Sequence, residues 1–240
     1  MDDEPQFIRG IFNYCDRWCE RCEFTSRCRV FADERSRELE YSDDPMGAAI
    51  AVLKDSFAEA KLMLMDKAEE MGIDLESAMN DPEVDATIER EHRFVEDNEV
   101  FKLARSYALD SDKILKRADQ LSPSGDDLTV VKMTEVLHRF NFMISVKVSG
   151  GLHGLLDIDG YEDKEQLLDT QSYANGMIKM ALILIERSLP AWTYLLNESN
   201  AEVIMPQIER LKLIKSLVEI KFPHARDFIR PGFDEIEMVM

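Results

Sequence analysis

Residues 177–196 read MIKMALILIERSLPAWTYLL and are the most apolar stretch of the chain. Lys179, Pro190 and the adjacent pair Glu186 and Arg187 interrupt this stretch. A membrane-spanning helix needs about 20 mainly apolar residues, and a central ion pair is costly inside a bilayer. The stretch therefore predicts the central core helix of a globular protein, and no membrane segment is expected.

The composition of the 240-residue chain also favours helices. The chain has only 10 glycines and 8 prolines, and it is rich in Leu, Glu, Lys, Ala and Met, which are good helix formers. With 45% hydrophobic and 32% charged residues, it can bury a sizeable core. These numbers predict an all-α fold.

Helical periodicity runs through residues 45–240. Pro45 suits the first position of a helix that Gly72 ends. Apolar residues recur in this helix at three- and four-residue steps, at Ile50, Leu53, Phe57, Ala60, Leu64 and Ala68. Further helices are predicted over about 82–121, 126–148, 163–196 and 205–221, with a loop at 151–162 and a break or an exposed face at 96–99. The pattern predicts a bundle of four to five long helices.

Residues 1–44 differ from the rest of the chain because they contain all four cysteines and no long periodic stretch. Cys15, Cys19, Cys22 and Cys28 are spaced C-x3-C-x2-C-x5-C. Steps of four and three residues would place the first three on one face of a helix, and a turn at 24–26 would bring Cys28 towards them. We therefore predict two domains: a Cys-rich metal- or cluster-binding segment, residues 1–44, and a helical bundle domain, residues 45–240.

The environment of the thiols decides between metal binding and disulfides. The sequence starts without a basic region or an apolar run typical of a secretory signal, so a cytoplasmic location is expected. Thiols stay reduced in the cytoplasm, where clustered cysteines favour a metal site. Two disulfides or four free thiols are the alternative.

Two centres fit the four-cysteine spacing. Structural zinc usually takes two short pairs of ligands separated by a longer span, whereas compact cysteine runs are typical of iron–sulfur clusters. Cys19, Cys22 and Cys28 resemble the cluster loop of helical [4Fe–4S] DNA glycosylases, and the first three cysteines are similar to the radical SAM triad. A [4Fe–4S] cluster is the first expectation and zinc the second.

Basic residues are interleaved with the predicted ligands. The segment carries four arginines, at Arg17, Arg21, Arg27 and Arg29, against three acids, Asp16, Glu20 and Glu23. A centre of four thiolates holding zinc or an oxidised cluster has a formal charge of about −2, which guanidinium donors stabilise. Trp18 and Phe24 are expected to give the centre apolar cover.

The formal charge of −19 argues against nucleic-acid binding, because phosphate backbones are bound mainly by Lys and Arg. Residues 207–230 are locally basic, and we expect their cations to pair with acidic neighbours. Glu135 and His138 form one Glu-x-x-His pair, a motif that ferritin-like di-iron bundles use twice. A protein partner is the remaining candidate for an interaction.

Three roles follow from these residues. A structural centre would attach the Cys-rich segment to a bundle that binds a protein or a ligand. A [4Fe–4S] cluster would make the chain a redox or sensor protein. The Glu135 and His138 pair would belong to a di-iron carboxylate bundle. No residue is identified as catalytic.

Overall fold

The computed structural model describes residues 7–40, 45–75, 77, 80–117, 128–159, 169–198 and 201–234. Over these residues the chain is all-helical and contains no strand, which confirms the predicted class. The α-helices in this part of the chain are α1 (Arg29–Glu40), α2 (Pro45–Met71), α3 (Pro82–Asp97), α4 (Glu99–Leu115), α5 (Leu128–Asp159), α6 (Tyr173–Glu198) and α7 (Ala201–Lys221). Short 3-10 helices span Ile11–Tyr14, Cys19–Arg21, Thr25–Arg27 and Ala225–Asp227.

The helix predicted over about 82–121 is divided at Asn98. The backbone of Asn98 is extended, and its side-chain oxygen accepts a hydrogen bond from the amide of Val100 at 3.1 Å. This is the geometry of an N-cap, in which a short polar side chain satisfies an amide that the first turn leaves free. The acidic stretch at 96–99 is therefore a break between α3 and α4.

Helix α5 continues past residue 148, where it was predicted to end, and runs through Gly150 and Gly151. A Cβ atom on Gly151 would lie 2.5 Å from the side chain of Ile178 on α6, and one on Gly154 would lie 3.0 Å from Ala174. These glycines allow two helices to approach closely, so they are packing positions inside a helix. The predicted loop is helical up to Asp159, and its remainder lies outside the described residues.

The chain forms two compact units. The first comprises Met1–Arg9 and Cys19–His92, and the second comprises Gly10–Trp18 and Arg93–Met240. The predicted domain boundary between residues 44 and 45 lies inside the first unit and stays a prediction.

The core of the second unit is built from α4, α5, α6 and α7. Helix α5 packs against α4 and α6, and α7 packs against α6 and α4, so the four helices close a ring. The stretch 177–196 lies on α6, which continues through Pro190 without a division. Fully buried side chains from all four helices fill the ring, among them Tyr107, Leu137, Phe140, Ile144, Ile178, Leu184, Trp192, Leu211 and Ile214.

A buried hydrogen bond crosses this core. The indole nitrogen of Trp192 on α6 donates to the hydroxyl of Tyr107 on α4 at 3.0 Å. Burial raises the pKa of Tyr107, so its hydroxyl stays protonated near neutral pH. No helix in the described ranges has the length and apolar character needed to cross a membrane.

Candidate metal centre

Residues 10–18, which carry Cys15, form a strap against α6 of the second unit. Ile11 is 2% exposed, and the ring of Tyr14 packs on that of Phe228 with centroids 4.6 Å apart. A Cβ atom on Gly176 would lie 2.4 Å from the ring of Tyr14 and 2.7 Å from that of Phe228. The rings of Tyr14 and Phe228 can therefore pack on α6 here only because residue 176 is a glycine.

Three cations of the helices bind the strap. The buried Lys147 of α5 donates from Nζ to the carbonyl oxygen of Asn13 at 2.5 Å. Arg187 of α6 forms an ion pair with Asp16. Arg139 of α5 donates to the carbonyl oxygen of Arg17 at 3.4 Å.

Trp18 belongs to the hydrophobic core of the second unit. Its indole is 7% exposed and meets the ring of Phe140 edge-on, with centroids 5.7 Å apart. The guanidinium of Arg139 lies over the indole at 5.6 Å, within the range of a cation–π contact. Trp18 thus has a packing role that the sequence did not reveal, while the cover it was expected to give a metal centre stays a prediction.

Cys15 is a half-buried thiol at the end of the 3-10 helix Ile11–Tyr14. Its Sγ donates to the carbonyl oxygen of Phe12 at 3.5 Å. Burial raises the pKa of Cys15, and the charges of Arg17 and Lys147 act in the opposite direction. Without a metal the group is therefore a neutral thiol near pH 7, and bound metal would displace the proton.

The other three cysteines lie in the first unit. Cys19 begins the 3-10 helix Cys19–Arg21, and its carbonyl oxygen accepts from the amide of Cys22 at 3.2 Å. Cys28 follows the 3-10 helix Thr25–Arg27, and its carbonyl oxygen accepts from the amide of Ala32 in α1 at 3.1 Å. All three side chains are half-buried.

The expectation that Cys15, Cys19 and Cys22 share one helix face is wrong. Cys15 has an extended backbone, and Arg17 has a φ of 54°, in the left-handed region that non-glycine residues rarely adopt. This turn breaks the chain between Cys15 and Cys19 before a helix can form. A three- and four-residue spacing predicts a shared face only where the intervening backbone is helical.

All four cysteines are free thiols, so the two-disulfide alternative is not the state of this structure. In the part of the chain that the structure describes, no three His, Cys, Asp or Glu side chains are arranged to hold a metal ion. The structure therefore does not assemble the four-cysteine centre, which stays a prediction. The four interleaved arginines are exposed, at Arg17, Arg21, Arg27 and Arg29.

Glu135 and His138 both lie on the solvent-exposed side of α5. In di-iron bundles the ligands project into the space between the helices. Here that space is filled by Leu137, Phe140 and Ile144 of the same helix. The placement of the pair does not fit an inward-facing iron ligand set.

Several basic residues of 207–230 are paired with acids, as expected, namely Arg210, Lys215, Arg226 and Arg230. Arg210 binds Asp110 at 3.0 Å, and Glu186 accepts from Arg226 at 2.7 Å and from Lys215 at 2.9 Å. Burial alone would raise the pKa of Glu186, but these two cations lower it overall. The charges of these paired cations are thereby neutralised locally.

Three residues that hold the strap were not identified from the sequence, Lys147, Arg139 and Gly176. A usable signal exists for Lys147, because it stands between Ile144 and Val148 on the buried side of α5. A lysine at a core position needs a polar partner, and the carbonyl of Asn13 supplies it. No sequence pattern distinguishes Gly176 from an ordinary helical glycine.

Comparison with known proteins identifies no relative of this chain. No protein-family model matches it, and no curated protein or solved structure shows significant similarity to it.

Proposed function

We propose that Cys15, Cys19, Cys22 and Cys28 bind one metal centre, a [4Fe–4S] cluster or a zinc ion, whose role is structural. One observation carries the proposal: the chain has four cysteines, and all of them fall within residues 15–28 as free, half-buried thiols. An isolated cysteine usually behaves as a small, buried hydrophobic residue. None of these four belongs to the hydrophobic core, so packing does not account for them.

The chain is short enough between the cysteines for all four to share one centre. The widest gap is that between Cys22 and Cys28, which a fully extended chain spans in about 20 Å. Irregular backbone is what such a site requires, because several ligands close in sequence must turn towards one point. The left-handed turn at Arg17 supports this view, since strained non-glycine residues cluster at ligand-binding loops.

The charges around the thiols also support an anionic centre. Arg17 and Lys147 both act on Cys15 in the direction that favours its thiolate. Lys147 is bound to the strap near Cys15; burial lowers the pKa of Lys147, and the negative charge of a Cys15 thiolate raises it. A cation in this position offsets part of the negative charge that four thiolates bring together.

A structural role accounts for residues 19–28, which have little apolar burial of their own. The 3-10 helices Cys19–Arg21 and Thr25–Arg27 contain no buried residue, and turns without buried side chains are only marginally stable. Metal ligation contributes folding free energy where a hydrophobic core is missing. The proposed centre would order these turns, and the helices of the second unit would provide the surface for a protein or ligand.

The test is to purify the chain without air, record its visible spectrum, and measure iron, zinc and acid-labile sulfide. A brown protein with four irons and four sulfides per chain, or a colourless one with one zinc, is expected for the two centres. Cys22→Ser should lower the bound metal severalfold and make residues 19–44 sensitive to protease, while the second unit stays folded.

Ser26→Ala is the matched control, since Ser26 is exposed in the same segment and has no thiol. It should keep the metal content and protease resistance of the parent chain. A colourless parent protein without metal would rule out the proposal. Equal metal content in the parent and Cys22→Ser would rule out the four-cysteine ligand set.

A further inference from the structure

Helix α2 exposes an unusual number of large apolar side chains. Phe57 is 73% exposed, although burying a phenylalanine is one of the larger sources of stability in a protein. Among the described residues of this helix, six such side chains follow one another at three-, four- or seven-residue intervals, namely Met46, Ile50, Leu53, Phe57, Leu64 and Met71, while Leu62, Met63 and Met65 are exposed outside this series. Contiguous apolar surface of this kind marks an interaction site.

The intervals follow a heptad repeat. Ala60 and Lys67 complete the two gaps in the series, which gives alternating steps of four and three residues from Met46 to Met71. We call these eight positions the α2 seam. A repeat sustained over more than three heptads keeps one stripe of a helix facing a partner helix and is the signature of a coiled coil.

Neighbouring helices of the first unit leave the seam open. In the described part of this unit, neither α1 nor the portion of α3 before Arg93 packs along α2 over an extended face. Helix α2 has 27 residues and is therefore about 40 Å long, and helices in proteins gain most of their stability from packing an apolar face against a neighbour. A partner along the seam would supply the burial that α2 lacks.

The seam is complementary to itself when two copies run antiparallel. Phe57, the bulkiest side chain, then meets Ala60 of the second copy, which is the smallest. Leu53 meets Leu64, and Lys67 meets Ile50 instead of another lysine. In a parallel pair the two copies of Lys67 would face each other, and like charges at such positions are unfavourable.

We propose that α2 forms an antiparallel two-helix coiled coil with α2 of a second copy of this chain. The proposal goes beyond metal binding and does not depend on it. It assigns α2 to self-association, with the α2 seam as the whole contact along the helix.

The experiment measures the mass of the full chain by sedimentation equilibrium between about 1 and 100 µM, a range that resolves micromolar dissociation constants. Leu64→Glu places a charge in the seam, and Leu62→Glu places the same charge outside it. The two leucines are similarly exposed, at 55% and 61%, so both variants should fold, which circular dichroism checks. Leu64→Glu should weaken dimerisation about 100-fold, and Leu62→Glu by less than about threefold.

A third variant tests the orientation. Ile50→Glu would face Lys67 of the second copy in the antiparallel pair, so it should weaken the dimer less than Leu64→Glu. An equal or larger loss would overturn the antiparallel arrangement. A parent chain that stays monomeric up to 100 µM, or equal effects of Leu64→Glu and Leu62→Glu, would overturn the self-association itself.

Discussion

Gly176 shows how a single missing side chain can fix the position of a distant segment. The residue lies in α6, where alanine is normally favoured over glycine by about 1 kcal/mol. Here the rings of Tyr14 and Phe228 occupy the space that a Cβ atom would need. At this position, therefore, helix propensity favours alanine, whereas the packing of the two rings favours glycine.

We predict that Gly176→Ala lowers the free energy of unfolding by about 1–2 kcal/mol, because overpacking a filled site costs more than the helix gains. Urea unfolding followed by tryptophan fluorescence measures the change. Gly150→Ala on α5 is the matched control, since its nearest neighbour is the flexible side chain of Met177 at 3.3 Å. That variant should be neutral or slightly stabilised, and equal losses in both variants would contradict the role of the two rings.

The candidate site was only partly predictable from single residues. The clustering of Cys15, Cys19, Cys22 and Cys28 is plain in the sequence, but their backbone is not. The turn at Arg17 is accompanied by a long-range contact, because Arg139, 122 positions away, donates to the carbonyl oxygen of Arg17. Local spacing contains no information about such contacts, so the helix-face model failed.

At the scale of elements, the N-cap residue Asn98 divides the long helix predicted over about 82–121 into α3 and α4. Asn98 is flanked by α3 and α4, and its side chain accepts from the Val100 amide. Glu99 follows in the first turn, where a negative charge interacts favourably with the helix dipole. The acidic, polar stretch is thus a start signal that periodicity alone does not show.

Asn98→Ala should destabilise the second unit by about 1 kcal/mol, because the Val100 amide loses its partner. Asn98→Asp, which keeps an acceptor oxygen, should be close to the parent. Chemical denaturation gives the free energies, and hydrogen exchange at Val100 reports the cap directly. Unchanged exchange at Val100 in Asn98→Ala would contradict the capping role.

Helix ends were predicted well where turn chemistry is local and poorly where packing decides. The start of α2 at Pro45 and its end at Met71 before Gly72 follow from proline and glycine chemistry. Helix α5 instead runs through Gly150 and Gly151, because α6 approaches closely enough to require small residues. That requirement is a property of the neighbouring helix.

At the scale of the molecule, the sequence predicted the all-α class but did not predict that α4, α5, α6 and α7 pack into a ring. The apolar stretch 177–196 correctly marked a buried helix, since Ile178, Leu184 and Trp192 are fully buried. The partners of that helix, and the return of residues 10–18 to the same unit, depend on long-range contacts. Helix periodicity shows which face of a helix is buried, but it does not show which other helix packs against that face.

The segment after α7 is joined to α6 by charge. Asp234 binds Arg230 at 2.8 Å and Lys179 of α6 at 2.9 Å. Burial alone would raise the pKa of Asp234, but hydrogen bonds from Arg230 and Lys179 lower it far below the ordinary range of aspartate. A carboxyl group of this kind stabilises the fold above its unfolded pKa and loses that effect as the pH falls towards its folded pKa.

Asp234→Asn should therefore lower the free energy of unfolding by about 2 kcal/mol at pH 7, the usual scale for hydrogen bonds to a charged group. The difference from the parent should shrink as the pH falls below about 4, where unfolded aspartate becomes protonated. Urea titrations at a series of pH values measure it. Asp97→Asn is the control, because the pair of Asp97 with Lys102 is exposed and should contribute little.

The strap has a consequence for the order of folding. Asp16 lies 171 positions from Arg187, and Asn13 lies 134 positions from Lys147, so neither contact can form until most of the chain has been synthesised. Closing such long loops lowers the entropy of the chain before the stabilising contacts form, and this slows folding. A growing chain therefore holds Ile11, Tyr14 and Trp18 without their partners until α5 and α6 have been synthesised.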